Sequence, residues 1–310
     1  MAVAPPRPSV APRSGLATLA LVAVTAVWGS TFYLIHDLLD SMDAVDFLAV
    51  RFTIAAVCLL LLFGRSLRAL DRRAWMAGGL LGLVYALAQV LQTVGLAHTA
   101  ASRSGFITGL YVVLTPVLGA ILLRERVGRP TWVAVVLSVA GLAVLSLGDV
   151  ASAVGLGEAL TLACAAVYAI HILGVGRYST AELATALATV QMIALAVGCT
   201  VTAAVDGVRL PPTPAAWWAV VYMAVVAGAG ALWAQTWAQA HLSASRAAIV
   251  MTLEPVFAAG FAVTLGGESA TSRMVLGGGL VLAAMYVVEL AGRRGRSADD
   301  PPLEALHHEP

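Results

Sequence analysis

Long runs of apolar residues, separated by short polar segments, make up most of this 310-residue chain. A hydrocarbon core about 30 Å thick takes roughly 20 helical residues to cross, and ten runs approach that length. The pattern therefore predicts an all-α polytopic membrane protein with ten transmembrane helices. The predicted spans are 15–36, 44–63, 74–96, 104–123, 130–148, 156–175, 184–205, 215–238, 247–265 and 272–291.

Two of these spans contain a proline away from their ends, Pro116 in the fourth and Pro255 in the ninth. A proline costs a helix one backbone hydrogen bond, so within a span it is tolerated where packing or a cavity compensates. Outside the spans, residues 1–14 and 292–310 are rich in proline, charge and small side chains. We expect both segments to be disordered tails.

The composition excludes a soluble fold. Hydrophobic residues make up 60% of the chain and charged residues 11%, against roughly 45 to 50% and 25% in soluble domains. A net charge of +1 excludes a basic nucleic-acid binder. Cys58, Cys164 and Cys199 lie in apolar runs without metal-ligand spacing, so neither a disulfide framework nor a metal site is predicted, and no cofactor is expected.

Arginine is distributed unevenly between the two sides of a ten-span chain. One side holds 14 of the 18 basic residues, and the other holds Arg51, Arg103, Arg209 and Arg273. Because basic residues concentrate on the cytoplasmic side of a membrane, both termini are expected in the cytoplasm. Miscounting the spans by one would remove this asymmetry, so the distribution of arginine also supports a count of ten spans.

The chain contains an internal repeat. Residues 92–103, QTVGLAHTAASR, match residues 235–246, QTWAQAHLSASR, at 7 of 12 positions after a shift of 143. A shift of 140 aligns AVRFTIAAV, residues 49–57, with TVQMIALAV, residues 189–197. The chain is therefore a duplicated five-helix unit.

Five is an odd number, so the second half, 155–291, must enter the membrane from the side opposite to the first half, 15–148. Two halves inverted in this way can open a central site alternately to either side of the membrane. The duplication therefore indicates transport. A chain that already holds both halves is expected to function as a monomer.

Four segments resemble a known family: AVWGSTF at 26–32, RFTIAA at 51–56, ASRSGFITGLYVVLTPVLGAILLRERV at 101–127 and ASRAAIVMTLEPVFAA at 244–259. In them the chain resembles the drug/metabolite transporter superfamily, in its bacterial form with two EamA repeats. The likeness covers nearly all of residues 15–291. One departure is Tyr168, where that family commonly has tryptophan.

This resemblance implies a multi-pass carrier in the bacterial inner membrane. Such a carrier would move amino acids, related metabolites or drugs by alternating access, often outward. Its partners would be a small solute and the lipid bilayer, with no nucleic acid. A non-transporting accessory, lipid-handling or sensor protein stays open as an alternative.

No enzyme is expected, because the sequence lacks the GxSxG, HExxH and P-loop motifs that mark common catalytic and nucleotide sites. Without a nucleotide site, solute or ion gradients would have to drive transport. A membrane-embedded enzyme would need a reactive pair, and His171 with Glu254 is the one combination that the sequence offers.

Ionisable side chains within spans are costly, so each is a functional candidate. Glu254 could carry a proton or bind a cation, or it could cap a helix broken by the following proline. His171 could couple transport to protons, or a neighbouring polar group could satisfy it. Arg51 could hold a solute carboxylate, but we expect an interface anchor paired with Asp43 or Asp46.

Aromatic side chains occupy equivalent places in the first and sixth spans, Trp28 and Tyr168. Both could line a cavity and stack against a solute. The alternative is close helix packing, which the small residues Gly29 and Ser30 allow.

Glutamines recur at equivalent positions in the third and eighth spans, Gln92 and Gln235, and Gln89 lies one turn before Gln92. An amide can bind a solute or lock helices together. Symmetry favours packing for the repeated pair and makes Gln89, with Tyr111, the better solute contact. The complete predicted binding set is Trp28, Gln89, Gln92, Tyr111, Tyr168, His171, Gln235 and Glu254.

Overall fold

The computed structural model describes residues 14–39, 41–99, 101–124, 126–145, 155–204, 207–264 and 270–299. These residues are largely helical and include no strand, which confirms the all-α class for them. Their α-helices are α1 Ser14–Leu39, α2 Ala44–Phe63, α3 Arg72–Leu96, α4 Ala101–Gly109, α5 Tyr111–Leu122, α6 Arg129–Leu145, α7 Leu156–Tyr178, α8 Ala184–Ala203, α9 Pro214–Ala224, α10 Ala231–Gln239, α11 Ala244–Met251, α12 Glu254–Thr264 and α13 Ser272–Asp299. A 3₁₀ helix, Gly64–Ala69, follows α2, and a π-helix, Val225–Gly230, joins α9 to α10.

Seven segments of the described chain are long and apolar enough to cross a membrane. They are Ser14–Thr31, Ala44–Ala69, Arg72–Leu96, Leu156–Tyr178, Ala184–Ala203, Pro214–Gln239 and Ala244–Phe261. Shorter apolar helices, Ile107–Leu122, Arg129–Val144 and Ser272–Val288, coincide with the predicted fourth, fifth and tenth spans. Large apolar side chains such as Leu61 and Trp218 are 81% and 77% exposed, as contact with lipid requires.

The predicted fourth and ninth spans are each divided into two helices. In the fourth, α4 ends at Gly109 and α5 begins at Tyr111; in the ninth, α11 ends at Met251 and α12 begins at Glu254. Pro255 has no N–H to donate to the Met251 carbonyl, so the helical hydrogen bonds are interrupted there. In the first turn of α12 the missing N–H costs nothing.

The proline of the fourth span has a different place. Pro116 lies inside α5, well after the break. It deprives the Val112 carbonyl of its helical donor. In the adjacent turn of α5, the Thr115 Oγ1 donates a hydrogen bond to the Tyr111 carbonyl at 2.7 Å. The break between α4 and α5 instead follows Gly109, a residue that weakens helices.

Helices in the bundle approach closely at small residues. A Cβ added to Gly82 of α3 would meet the Gln191 carbonyl oxygen of α8 and lie 2.7 Å from the Ala194 Cβ. One added to Gly141 of α6 would lie 2.7 Å from the Gly277 carbonyl oxygen of α13. In lipid, where no hydrophobic force drives helices together, such contacts stabilise the bundle by van der Waals packing.

The last helix, α13, continues to Asp299. Residues 292–299 are therefore helical, where the sequence analysis expected the start of a disordered tail. Three of these eight residues are arginine, a good helix former, and α13 continues through them. The remaining parts of both predicted tails, 1–13 and 300–310, lie outside the described residues.

Candidate functional site

A cavity lies inside the bundle, among α1, α2, α3, α7 and the divided helices. Its volume is about 70 Å³, room for several water molecules, since one needs about 10 to 15 Å³. The lining residues are Trp28, Thr31, Ile35, Arg51, Tyr85, Gln89, Gln92, Thr93, Leu96, Thr108, Tyr111, Tyr168, Ile172, Met251 and Glu254.

Most of the predicted binding set meets at this one cavity. The members that line it are Trp28, Gln89, Gln92, Tyr111, Tyr168 and Glu254. His171 and Gln235 lie outside its lining. Residues far apart in the chain, from both halves, are therefore brought to a common site.

The cavity lies toward one end of the bundle. It is lined by residues 28–35 of α1 and 85–96 of α3, which belong to the C-terminal halves of both helices. Around the N-terminal half of α1, Leu21 packs in a buried apolar cluster that includes Leu173 and Leu242. The bundle is therefore closed by apolar packing on the side where α1 begins.

Side-chain hydrogen bonds join three helices at the cavity wall. The Tyr168 hydroxyl of α7 donates to Gln92 Oε1 of α3 at 2.7 Å. Gln92 Nε2 donates in turn to Thr108 Oγ1 of α4 at 3.5 Å. The second bond is long and therefore the weaker of the two.

Trp28 is held by the π-helix of the eighth predicted span. Its Nε1 donates to the Ala227 carbonyl at 2.9 Å, and π-helical turns are frequent at functional sites. The next residue, Gly29, packs tightly on α12: a Cβ there would lie 2.8 Å from the Phe257 Cβ and 2.9 Å from the Glu254 carbonyl oxygen. Trp28 therefore lines the cavity, while the neighbouring Gly29 packs closely against α12.

Glu254 begins α12 and is partly exposed to the cavity. Among the described residues its carboxyl group has neither a hydrogen-bond partner nor an ion-pair partner. Gln89 and Tyr111 are 7% and 6% exposed and line the same cavity. Together these side chains present a carboxyl group, an amide and a hydroxyl to whatever occupies the site.

His171 lies behind the cavity wall. It is 1% exposed, and its Nε2 donates to Gln191 Oε1 at 2.9 Å. Its ring stacks on Tyr85, with centroids 4.6 Å apart, and Tyr85 lines the cavity. The structure therefore favours the alternative in which a neighbouring polar group satisfies the imidazole.

Gln235 is also buried away from the cavity, at 3% exposure. Its Nε2 donates to Gln239 Oε1 at 3.2 Å, and Gln239 Nε2 donates to the Ile172 carbonyl of α7 at 2.9 Å. This arrangement links α10 to α7. It agrees with the helix-locking alternative for this glutamine, while Gln92, its equivalent in the first half, lines the cavity.

The expected ion pair of Arg51 with Asp43 or Asp46 is not found among the described residues. Asp43 pairs instead with Arg209, at 3.2 Å between exposed side chains. Arg51 is 5% exposed and lines the cavity, and its Nε donates to the Met223 carbonyl at 3.1 Å. It lies two turns inside α2, with its guanidinium over the rings of Phe47 and Phe52.

Sequence reasoning also missed several cavity residues on α3. Tyr85 lies four residues before Gln89, and Thr93 four residues after it, so all three share one helix face. Leu96 continues the same stripe toward the helix end. This polar and aromatic stripe at helical spacing is the signal that could have identified them.

The cavity combines aromatic faces, amides, hydroxyls, one guanidinium and one carboxyl group with the apolar side chains of Ile35, Ile172 and Met251. Small-molecule sites are typically apolar pockets with a few such convergent polar groups. The described residues contain no group of three His, Cys, Asp or Glu that could hold a metal ion. The lining is therefore of the kind that recognises small organic molecules with polar and apolar parts.

Comparisons with known proteins identify what the chain is similar to. The model of the EamA-like transporter family matches residues 15–147 and, a second time, residues 155–290. An uncharacterized transporter of Archaeoglobus fulgidus is 32% identical over 274 residues, which cover 88% of this chain and 86% of the relative. Both findings confirm the resemblance drawn from the sequence.

A protein of known crystal structure shares the fold. It superposes with a TM-score of 0.73 at 19% sequence identity, over 90% of this chain and 98% of its own. At that identity the likeness concerns the fold alone.

Proposed function

Because the chain belongs to the EamA-like transporter family, we propose that it is a secondary transporter of small organic solutes. The chain is a multi-pass membrane protein, and its partners are a small-molecule solute and the surrounding lipid. The proposed solutes are amino acids and related metabolites. A chain with both repeats would work as a monomer.

The observation that carries this proposal is the central cavity. Both halves of the chain line it, through Gln89 and Tyr111 in the first and Tyr168 and Glu254 in the second. Among the described residues, neither the Tyr111 hydroxyl nor the partly exposed Glu254 carboxyl group has a hydrogen-bond partner, and water or solute in the cavity would supply one. The site would thus bind its solute between the two repeats, as in other transporters with internal repeats.

Alternating access is supported by reciprocal helix packing. The sequence repeat makes α6 equivalent to α13 and α2 equivalent to α8, and each of these pairs packs together. The repeat also makes α1 equivalent to α7, and the end of α3 equivalent to α10. Correspondingly, α7 packs on α3 and α1 packs on α10. A two-fold axis between inverted halves would produce this pattern. We therefore infer ten spans in two inverted five-helix repeats.

The distribution of arginine gives the proposed orientation in the bacterial inner membrane, with both termini in the cytoplasm. In that orientation the cavity lies toward the outer face, and the apolar cluster around Leu21 closes the cytoplasmic side. This is the state from which an exporter releases its solute. Export is the proposed direction of transport.

Counterflow in proteoliposomes tests the proposal. Purified protein is reconstituted into vesicles loaded with an unlabelled solute, and uptake of the same labelled solute is followed, with amino acids first in the panel. The pH is clamped and then stepped, so that proton coupling is measured in the same experiment. Vesicles without protein are the control.

We expect exchange of at least one solute class well above the protein-free control. An absence of exchange across a broad panel, from protein shown to be folded, would contradict the proposal. That result would favour a non-transporting accessory or sensor protein.

A further inference from the structure

We propose that Arg51 selects solutes that carry a carboxylate group. The inference rests on the proposed function, because it assigns a solute class to the same cavity. It concerns a residue that the sequence analysis placed at the membrane interface and that the structure places in the lining.

The guanidinium of Arg51 is held in a fixed position by the protein. Its Nε donates to the Met223 carbonyl at 3.1 Å. Its Cζ lies 4.9 Å from the ring centroid of Phe52 and 5.6 Å from that of Phe47. These contacts orient the side chain, and cation–π attraction stabilises its charge.

The same contacts leave the two terminal nitrogens of Arg51 without a hydrogen-bond partner among the described residues, and no described carboxylate pairs with the guanidinium. A cation at 5% exposure is costly to keep inside a membrane protein unless an anion or polar groups compensate it. Two parallel N–H donors match the two oxygens of a carboxylate. A carboxylate in the cavity would supply the missing partner.

The internal repeat shows that the fold does not require a charge at this position. The alignment of residues 49–57 with 189–197 makes Gln191 the equivalent of Arg51. In the second half this neutral side chain bonds within the protein, to His171. The charge of Arg51 is therefore specific to the first half, where the side chain reaches the cavity.

Glu254 gives the solute a second point of contact. It is the carboxyl group in the cavity lining, and Tyr85 and Tyr168 line the same cavity as Glu254 and Arg51. A solute with a carboxylate, a cationic or polar group and an apolar side chain fits this distribution of charge and the apolar lining.

Three matched probes test the inference: L-leucine, its amide leucinamide and the decarboxylated amine 3-methylbutylamine. Binding is measured as the rise in unfolding temperature of the purified protein, which does not depend on transport, and competition is measured in counterflow. Two variants are compared with the wild type. Arg51→Gln introduces the residue type that the second half has at the equivalent position, Gln191, and Arg51→Lys keeps the positive charge. Arg209→Gln, at an exposed ion pair, is the control for loss of an arginine.

For the wild type we expect leucine to bind about tenfold to a hundredfold more tightly than leucinamide, the loss expected for one charge-assisted hydrogen-bonded pair. Arg51→Gln should remove this preference, Arg51→Lys should keep part of it, and Arg209→Gln should leave it unchanged. Equal binding of leucine and leucinamide by the wild type would overturn the inference. So would an unchanged preference in Arg51→Gln.

The two assays separate this inference from the proposed function. Counterflow that accepts leucine and leucinamide equally would leave a transporter without carboxylate selection. A carboxylate preference in binding, without exchange of any solute, would support Arg51 and contradict transport. If Arg51→Gln did not fold, the wild-type comparison and Arg51→Lys would decide the question.

Discussion

The imidazole of His171 stacks on the phenol ring of Tyr85, with centroids 4.6 Å apart and ring planes 14° apart. Tyr85 faces the cavity and His171 lies behind it, fixed by Gln191. The histidine therefore supports the cavity wall from outside. A side chain in this place affects a solute through the position of Tyr85.

His171→Ala should destabilise the fold more than it changes the pH response of transport. The substitution leaves a void behind Tyr85 and removes the donor to Gln191, a loss of about 2 to 4 kcal/mol. Unfolding of the purified variant in detergent measures this loss, and His98→Ala, at an exposed histidine, is the matched control. A stable variant whose counterflow no longer responds to pH would show instead that His171 carries a coupled proton.

The case of His171 shows what the sequence can predict at this site. Its presence within a span, and the cost of burying it, could be predicted because an ionisable group in lipid needs a partner. Its hydrogen-bond partner could not be predicted, because Gln191 lies on the next helix. The rotation of each helix about its own axis decides which side chains meet. Position along a span is readable from the chain, whereas the direction of a side chain depends on packing.

Tyr168→Phe should weaken solute binding in the cavity. The change removes the hydroxyl that donates to Gln92 and leaves an amide oxygen unpaired, which typically costs about 1 to 3 kcal/mol and disturbs the hydrogen-bonded wall. We expect a several-fold rise in the KM of counterflow. Tyr222→Phe is the matched control, because it also removes one hydroxyl contact, to Ser30 at 2.8 Å, outside the cavity lining. An equal effect of both substitutions would contradict a role for Tyr168 at the site.

Gly82→Ala should destabilise the bundle. A methyl group at this position of α3 would collide with the Gln191 carbonyl and Ala194 of α8, and such overpacking typically costs about 1 to 3 kcal/mol. Gly79→Ala, on the same helix with nothing within 4 Å, should be neutral or stabilising because alanine favours the helix. Unfolding temperatures of the two variants measure the difference. Equal temperatures would contradict the tight packing of α3 on α8.

The divided helices mark another limit of prediction. Pro255 indicates a distortion in the ninth span, and the structure has its break at residues 252–253, within one turn before this proline. Pro116 gives the same signal in the fourth span, yet the break there follows Gly109. Pro255 lies in the first turn of α12, whereas Pro116 is accommodated inside α5. A proline therefore shows that a hydrogen bond is missing, and the packing around the helix decides where the helix ends.

Arg51 shows the same limit for charge. The sequence places it near Asp43 and Asp46, which suggests an ion pair at the interface. In the structure Asp43 forms an ion pair with Arg209. Arg51 instead donates a hydrogen bond to the Met223 carbonyl and lines the cavity. The spacing of charges along a helix thus indicates which pairs can form, and contacts with other helices decide which of them do.

The most direct test of the account is whether a solute occupies the described cavity. In a chain whose three cysteines are replaced by alanine, Gln89→Cys places a thiol in the lining, and Gln235→Cys places one at a buried glutamine outside it. We expect a thiol reagent to modify position 89 but not 235, a transported solute to slow that modification, and the modified protein to lose counterflow. Full modification of position 89 with counterflow unchanged, and no protection by solute, would contradict the central claim that transport proceeds through this cavity.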